Sequence, residues 1–303
     1  MADSSVPAPT NRRELWIGLG SAAAILVIWS GFVLLTRLGA RSTFQPPDLL
    51  ALRVGIAGLI MAPFLLKNGL GGLRLWQGLI MALLAGIGFG GLAYTAFSLA
   101  PVSHAAVLMT GSLPLQTSLL AMLVLGERFN RIRSIGLGLI VLGVLLIAVQ
   151  SLATADRSMW LGDALFALSS LSWAIYSILA QRWKVKPLQA ASVVFPLAFC
   201  LYMPVYFLFV ESRLHEAPLT ALLAQAVLQG VLATIVSMFA YMRVVVAFGA
   251  ASTTMLTAAV PGLVTILAIP LLGEIPAWTD VIGVACVTGG IAATILALHR
   301  RHS

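Results

Sequence analysis

Trp29, Tyr94, Trp173 and Tyr241 lie deep inside long apolar stretches. Indole and phenol rings in such places offer stacking area and one polar atom to an amphipathic ligand. Tyr176 and Ser177 follow Trp173 at i+3 and i+4, so on a helix they share its face and add two hydroxyls. Packing between helices would use the same residue types, and that reading stands beside the binding one. Ionisable groups are scarce, and each is expensive inside a membrane. His104 and Asp163 each open an apolar stretch near its outer end, where capping is the cheaper role; either one is a candidate proton relay, and no other group is. Arg53 comes a turn or two into another stretch, where its long side chain can snorkel to the interface. Pro114 and Pro261 interrupt apolar stretches, and each removes an i to i−4 hydrogen bond, as a kink or gate would.

Other chemistry finds little support. No GxSxG, HExxH or Walker signature occurs, and no GxGxxG follows a strand, so an enzyme is not expected. Cys200 and Cys286 have no CxxC spacing and no histidine nearby. Neither a metal nor a cofactor is indicated.

Membrane helices must position these residues. Of 303 residues, 60% are apolar and 9% charged, with a mean hydropathy of +1.02. From Leu75 to Leu125 there is no Asp, Glu, Lys or Arg at all, enough for two spans of about 20 residues. Charge clusters and Gly/Pro breaks place spans near 15–36, 48–66, 75–99, 103–125, 133–151, 160–181, 188–210, 219–243, 250–272 and 279–298. The fold class is therefore an all-α membrane protein of ten transmembrane helices.

The chain also repeats itself. Tyr94, Pro114, Gly126, Glu127, Gly136 and Gly143 recur as Tyr241, Pro261, Gly273, Glu274, Gly283 and Gly290 at a constant offset (241 − 94 = 147). The units read as a tail at 1–14, a five-helix repeat at 15–151, a second at 152–298 and a tail at 299–303. Five spans per repeat is odd, so the second copy must enter the membrane from the other side: the repeats are inverted. A cytoplasmic N-terminus puts 13 of the 18 Lys and Arg residues on the inner side, so both termini are expected in the cytoplasm. The net charge of +8 then needs no nucleic-acid partner. Trp16, Trp76, Trp160, Trp183 and Trp278 fall near span ends, in the headgroup belt. Trp29 is 14 residues into its span, about 21 Å along a helix. The expected partners are a small-molecule substrate and the lipid bilayer; the oligomeric state is not legible.

Three stretches resemble the drug/metabolite transporter superfamily in its ten-helix EamA-type branch. They are Trp29-Ser30-Gly31-Phe32 with Arg37, Gly162-Asp163 followed by Ser172-Trp173-Ala174-Ile175-Tyr176, and the paired endings Pro114…Gly126-Glu127 and Pro261…Gly273-Glu274. The resemblance implies a bacterial inner-membrane exporter of small metabolites, with helices one to four and six to nine around a central cavity and the fifth and tenth peripheral. Within the family the chain is most similar to aromatic amino-acid exporters. The four-helix multidrug branch carries a carboxylate in its first helix, and Leu15 to Thr36 has none. Export of amphipathic metabolites, most of all amino acids, by alternating access is the expectation. A passive channel or a multidrug efflux carrier is the alternative.

Overall fold

In a computed structural model, which describes residues 12–41, 43–126, 129–153 and 157–299, the chain is helical and no strand occurs among the described residues. Helices α1 (Arg12–Ala40), α2 (Pro46–Asn68), α3 (Leu75–Leu99), α4 (Val102–Val124), α5 (Arg131–Ala153), α6 (Arg157–Arg182), α7 (Pro187–Phe209) and α8 (Leu219–Val245) are long and apolar enough to cross a membrane. Two further apolar helical segments are α9 (Ala258–Leu272) and α10 (Trp278–His299). The break expected between residues 243 and 250 is not found, because residues Ser237 to Leu272 form one helical run. Arg243 is the only charge in that run, and a single Gly249 costs a helix only about 1 kcal/mol relative to Ala.

Local chemistry explains the ends. Pro46 and Pro47 start α2, where a missing N–H costs nothing, and Gln45 and Asp48 close a reciprocal cap. Gly126 and Gly273, equivalent in the two repeats, both end their helices with positive φ (69° and 66°), a conformation that side-chain-bearing residues rarely adopt. The prolines behave differently from each other. Helix α4 is already interrupted at Ser112, and Pro114 opens the next segment, Leu113–Leu125, while Pro261 lies inside continuous helix with its carbonyl accepting from the Thr265 hydroxyl at 2.9 Å. Of the two interruptions expected from sequence, only the one at Pro114 coincides with a break in the helix. Wide π-helical turns at Ala82–Gly88 in α3 and Ala226–Val236 in α8 occupy corresponding places in the two repeats.

Packing follows a two-fold pattern. Helix α2 lies on α7, α5 on α10, α3 on α6, and α1 on α8. A Cβ on Gly136 would meet the backbone of Gly290, and one on Gly143 would meet that of Gly283. Since 136 corresponds to 283 and 143 to 290, each repeat presents the same two glycines to the other, crossed over, as an isologous contact requires. The pairing also makes α5 and α10 antiparallel. The repeated glycines thus mark two devices: Gly126 and Gly273 end helices at turns, and Gly136, Gly143, Gly283 and Gly290 make a close helix contact.

Candidate functional site

Five helices and the α9–α10 turn bring polar side chains to one end of the bundle, the far end. Arg37 at the end of α1 is 5% exposed, and its Nε donates to Glu274 Oε1 at 2.8 Å. Arg41 reaches the same oxygen at 3.0 Å, and Glu274 Oε2 accepts the N–H of Val102, the first residue of α4, at 2.9 Å. That N–H is an orphan donor at a helix start, where a carboxylate is favoured. Arg37 also donates to the Phe97 carbonyl. One carboxylate thereby fastens the α9–α10 turn to α1 and α4.

A second group lies beside it. His104 Nδ1 is 2.7 Å from Asp163 Oδ1 of α6, and its Nε2 is 3.6 Å from Asp280 Oδ1 of α10. The ring is 1% exposed. Asp163 also accepts from Ser151 of α5, and Asp280 accepts from Ser103 at 2.8 Å and from the Ala277 N–H. A neutral imidazole can serve only one carboxylate as donor, and His104 Nε2 and Asp280 Oδ1 have no hydrogen-bond partner as they stand. An imidazolium would serve both. Above these groups is a pocket of about 350 Å³, bordered by Arg41, Gln150, Glu274 and Asp280.

The larger cavity, about 690 Å³, occupies the middle of the bundle and extends toward the opposite, near end. Exposed Pro187 at the start of α7 and Met242 of α8 border its mouth. Tyr94, Phe97 and Gln229, fully buried, do not border it. Trp29 and Tyr241 form one wall with rings stacked at 6.2 Å and 16°. Trp173 forms another, held by Phe89 at 4.9 Å and Tyr176 at 5.2 Å. Pro114 and Met109 complete the side made by α4.

The sequence-derived residues therefore divide. Trp29, Trp173, Tyr176, Tyr241 and Pro114 border one cavity. Tyr94 does not: it is fully buried, and its hydroxyl donates to Gln229 at 2.9 Å, because a phenol buried away from the cavity needs a protein partner. Ser177 does not either, since its hydroxyl turns back to the Trp173 carbonyl at 2.8 Å. His104 and Asp163 meet, but with Asp280 as a third member that the sequence did not single out. Glu127 lies outside the described residues. Helices α5 and α10 are less peripheral than the resemblance implied, for Arg133, Ile291 and Thr294 reach the cavity.

Arg53 is the main surprise. It is 4% exposed and borders the cavity, so it does not snorkel. Phe32, Phe89 and Phe195 surround its guanidinium at 5.5 to 5.8 Å. No carboxylate pairs with it among the described residues, and its Nε has no hydrogen-bond partner. No three His, Cys, Asp or Glu side chains among the described residues are placed to hold one metal ion, since Asp163 and Asp280 meet different ring nitrogens of His104.

Comparison with known proteins agrees with this architecture. A solved structure, known only as the crystal structure of a protein, superposes with a TM-score of 0.61 over 97% of this chain and 100% of its own, at 19% identity, which shows a shared fold. A search of curated proteins finds no match. The model of the EamA-like transporter family matches twice, over residues 16–149 and 160–296, one match in each repeat. The chain belongs to the EamA-like transporter family of membrane transporters.

Proposed function

We propose that the protein exports small amphipathic metabolites across a bacterial inner membrane by alternating access, and that the 690 Å³ cavity is its substrate site. One observation carries the reading: a cavity with aromatic walls reaches one end of the bundle, while buried ion pairs close the other. The near end carries most of the Lys and Arg residues, so the positive-inside rule makes it cytoplasmic and the conformation inward-facing. Release to the outside then requires the Arg37–Glu274 pair and the His104 group to separate. Inverted repeats supply the second state, because an antiparallel copy of the same five helices can close the near end as the first closes the far end. Pro114, next to the interruption at Ser112, is a bending point on the cavity wall; Pro261 is its counterpart in the second repeat. If transport is proton-coupled, the proton passes through His104, Asp163 and Asp280, which connect α4, α6 and α10 beneath the far-end pocket.

Counterflow tests this directly. Proteoliposomes preloaded with one of a panel of amino acids and aromatic acids should take up the same labelled compound at least several-fold faster than empty ones, for at least one member. Uptake that is fast but indifferent to internal substrate would indicate a passive pore.

A further inference from the structure

The charge of the cavity restricts what it can hold. Two guanidiniums, Arg53 and Arg133, border it, and no Asp or Glu does so among the described residues. Arg133, also buried, has its own contacts, donating to Ser118 at 3.0 Å and stacking over Phe129 at 4.7 Å. Arg53 has three aromatic rings and the Tyr94 hydroxyl, but no counter-charge. A buried cation is tolerated there because rings and cavity water partly replace its hydration, and an anion entering the cavity would complete its surroundings. A guanidinium fork matches a carboxylate in shape as well as charge.

We propose that Arg53 anchors the carboxylate of the substrate and that the preferred cargo is an aromatic monocarboxylate anion rather than a zwitterion. The apolar body lies against the Trp29–Tyr241 wall or against Trp173, and the carboxylate meets Arg53. An α-ammonium group would find no carboxylate among the described lining residues, only hydroxyls and ring faces. Outward movement of such an anion transfers negative charge out of the cell, so an inside-negative potential drives export without a coupled ion. This rests on the reading of the cavity as the substrate site.

Binding followed by tryptophan fluorescence tests the proposal with three probes of similar size: 3-phenylpropionate, its neutral amide, and L-phenylalanine. The purified full chain should bind the acid about ten- to 100-fold more tightly than the amide, the range expected for a hydrogen-bonded charge. It should also bind the acid at least tenfold more tightly than L-phenylalanine. Arg53→Met should lose the preference for acid over amide while still binding the amide, and Arg53→Lys should keep part of it. Equal binding of acid and amide by the wild type, or an Arg53→Met protein that keeps the preference, overturns the anchor; this comparison holds even if one variant fails to fold. L-phenylalanine binding as tightly as the acid overturns the preference for an anion over a zwitterion. Binding of none of the three would instead remove the cavity reading itself, and the anchor with it.

Discussion

Glu274→Gln should cut counterflow by at least tenfold and leave the far end open. The carboxylate neutralises Arg37, which is 5% exposed, and caps the first N–H of α4. Removing one partner of a buried pair costs about 3–5 kcal/mol, because the remaining charge stays buried alone. That cost falls on the far-end-closed state, in which the pair is formed, so the balance between states moves outward by about two to three and a half powers of ten. Arg41 contributes less, since its side chain is 49% exposed and water screens it. A double variant, Arg37→Met with Glu274→Gln, removes both charges and should recover part of the closed population. Transport that stays normal per inserted Glu274→Gln protein would show that the pair is not a gate.

The second large effect concerns the aromatic walls. Trp29→Ala and Trp173→Ala should each weaken substrate affinity by roughly five- to 150-fold, from loss of about 1–3 kcal/mol of apolar contact. The structure separates the two. Trp29 stacks on Tyr241, so its loss also releases the facing ring, whereas Trp173 is held by both Phe89 and Tyr176. The Trp29 variant should therefore be the weaker binder. Replacement by Phe should preserve much of the affinity in both. Unchanged affinity in well-folded alanine variants would mean that both indoles only pack helices together.

Much of this was legible in the sequence, for identifiable reasons. A constant repeat offset survives whatever the helices face, so the two halves and the paired Gly-Glu endings could be read directly; Gly126 and Gly273 are in fact matching left-handed caps. Depth along a span is also a simple count, which separated Trp29 and Trp173 from the belt tryptophans. Facing was not legible. Helices surrounded by lipid and by one another are apolar all round, so no periodicity tells the inner side from the outer. Hence Arg53 looked like a snorkelling residue and Tyr94 like a wall residue, and the structure reverses both. Asp280 was missed because a carboxylate near a helix start reads as a cap, which it also is, through Ala277. The π-helical turns and the uninterrupted helix through residues 243 to 250 leave no propensity signal, since Ala, Val and Leu suit regular and widened helices alike.

The central claim is that one cavity faces one side of the membrane at a time, with the far-end ion pairs deciding which. A single cysteine at Ala233, which borders the cavity, tests it in a background with Cys200 and Cys286 replaced by Ala. A membrane-impermeant thiol reagent is added to right-side-out or inside-out vesicles. In the otherwise native protein, labelling should come from the cytoplasmic face and should slow when 3-phenylpropionate is present; with Glu274→Gln it should come mainly from the outer face. Labelling from the outer face in the native protein, unchanged by Glu274→Gln, would contradict both the direction of the cavity and the role of the ion pairs in closing it.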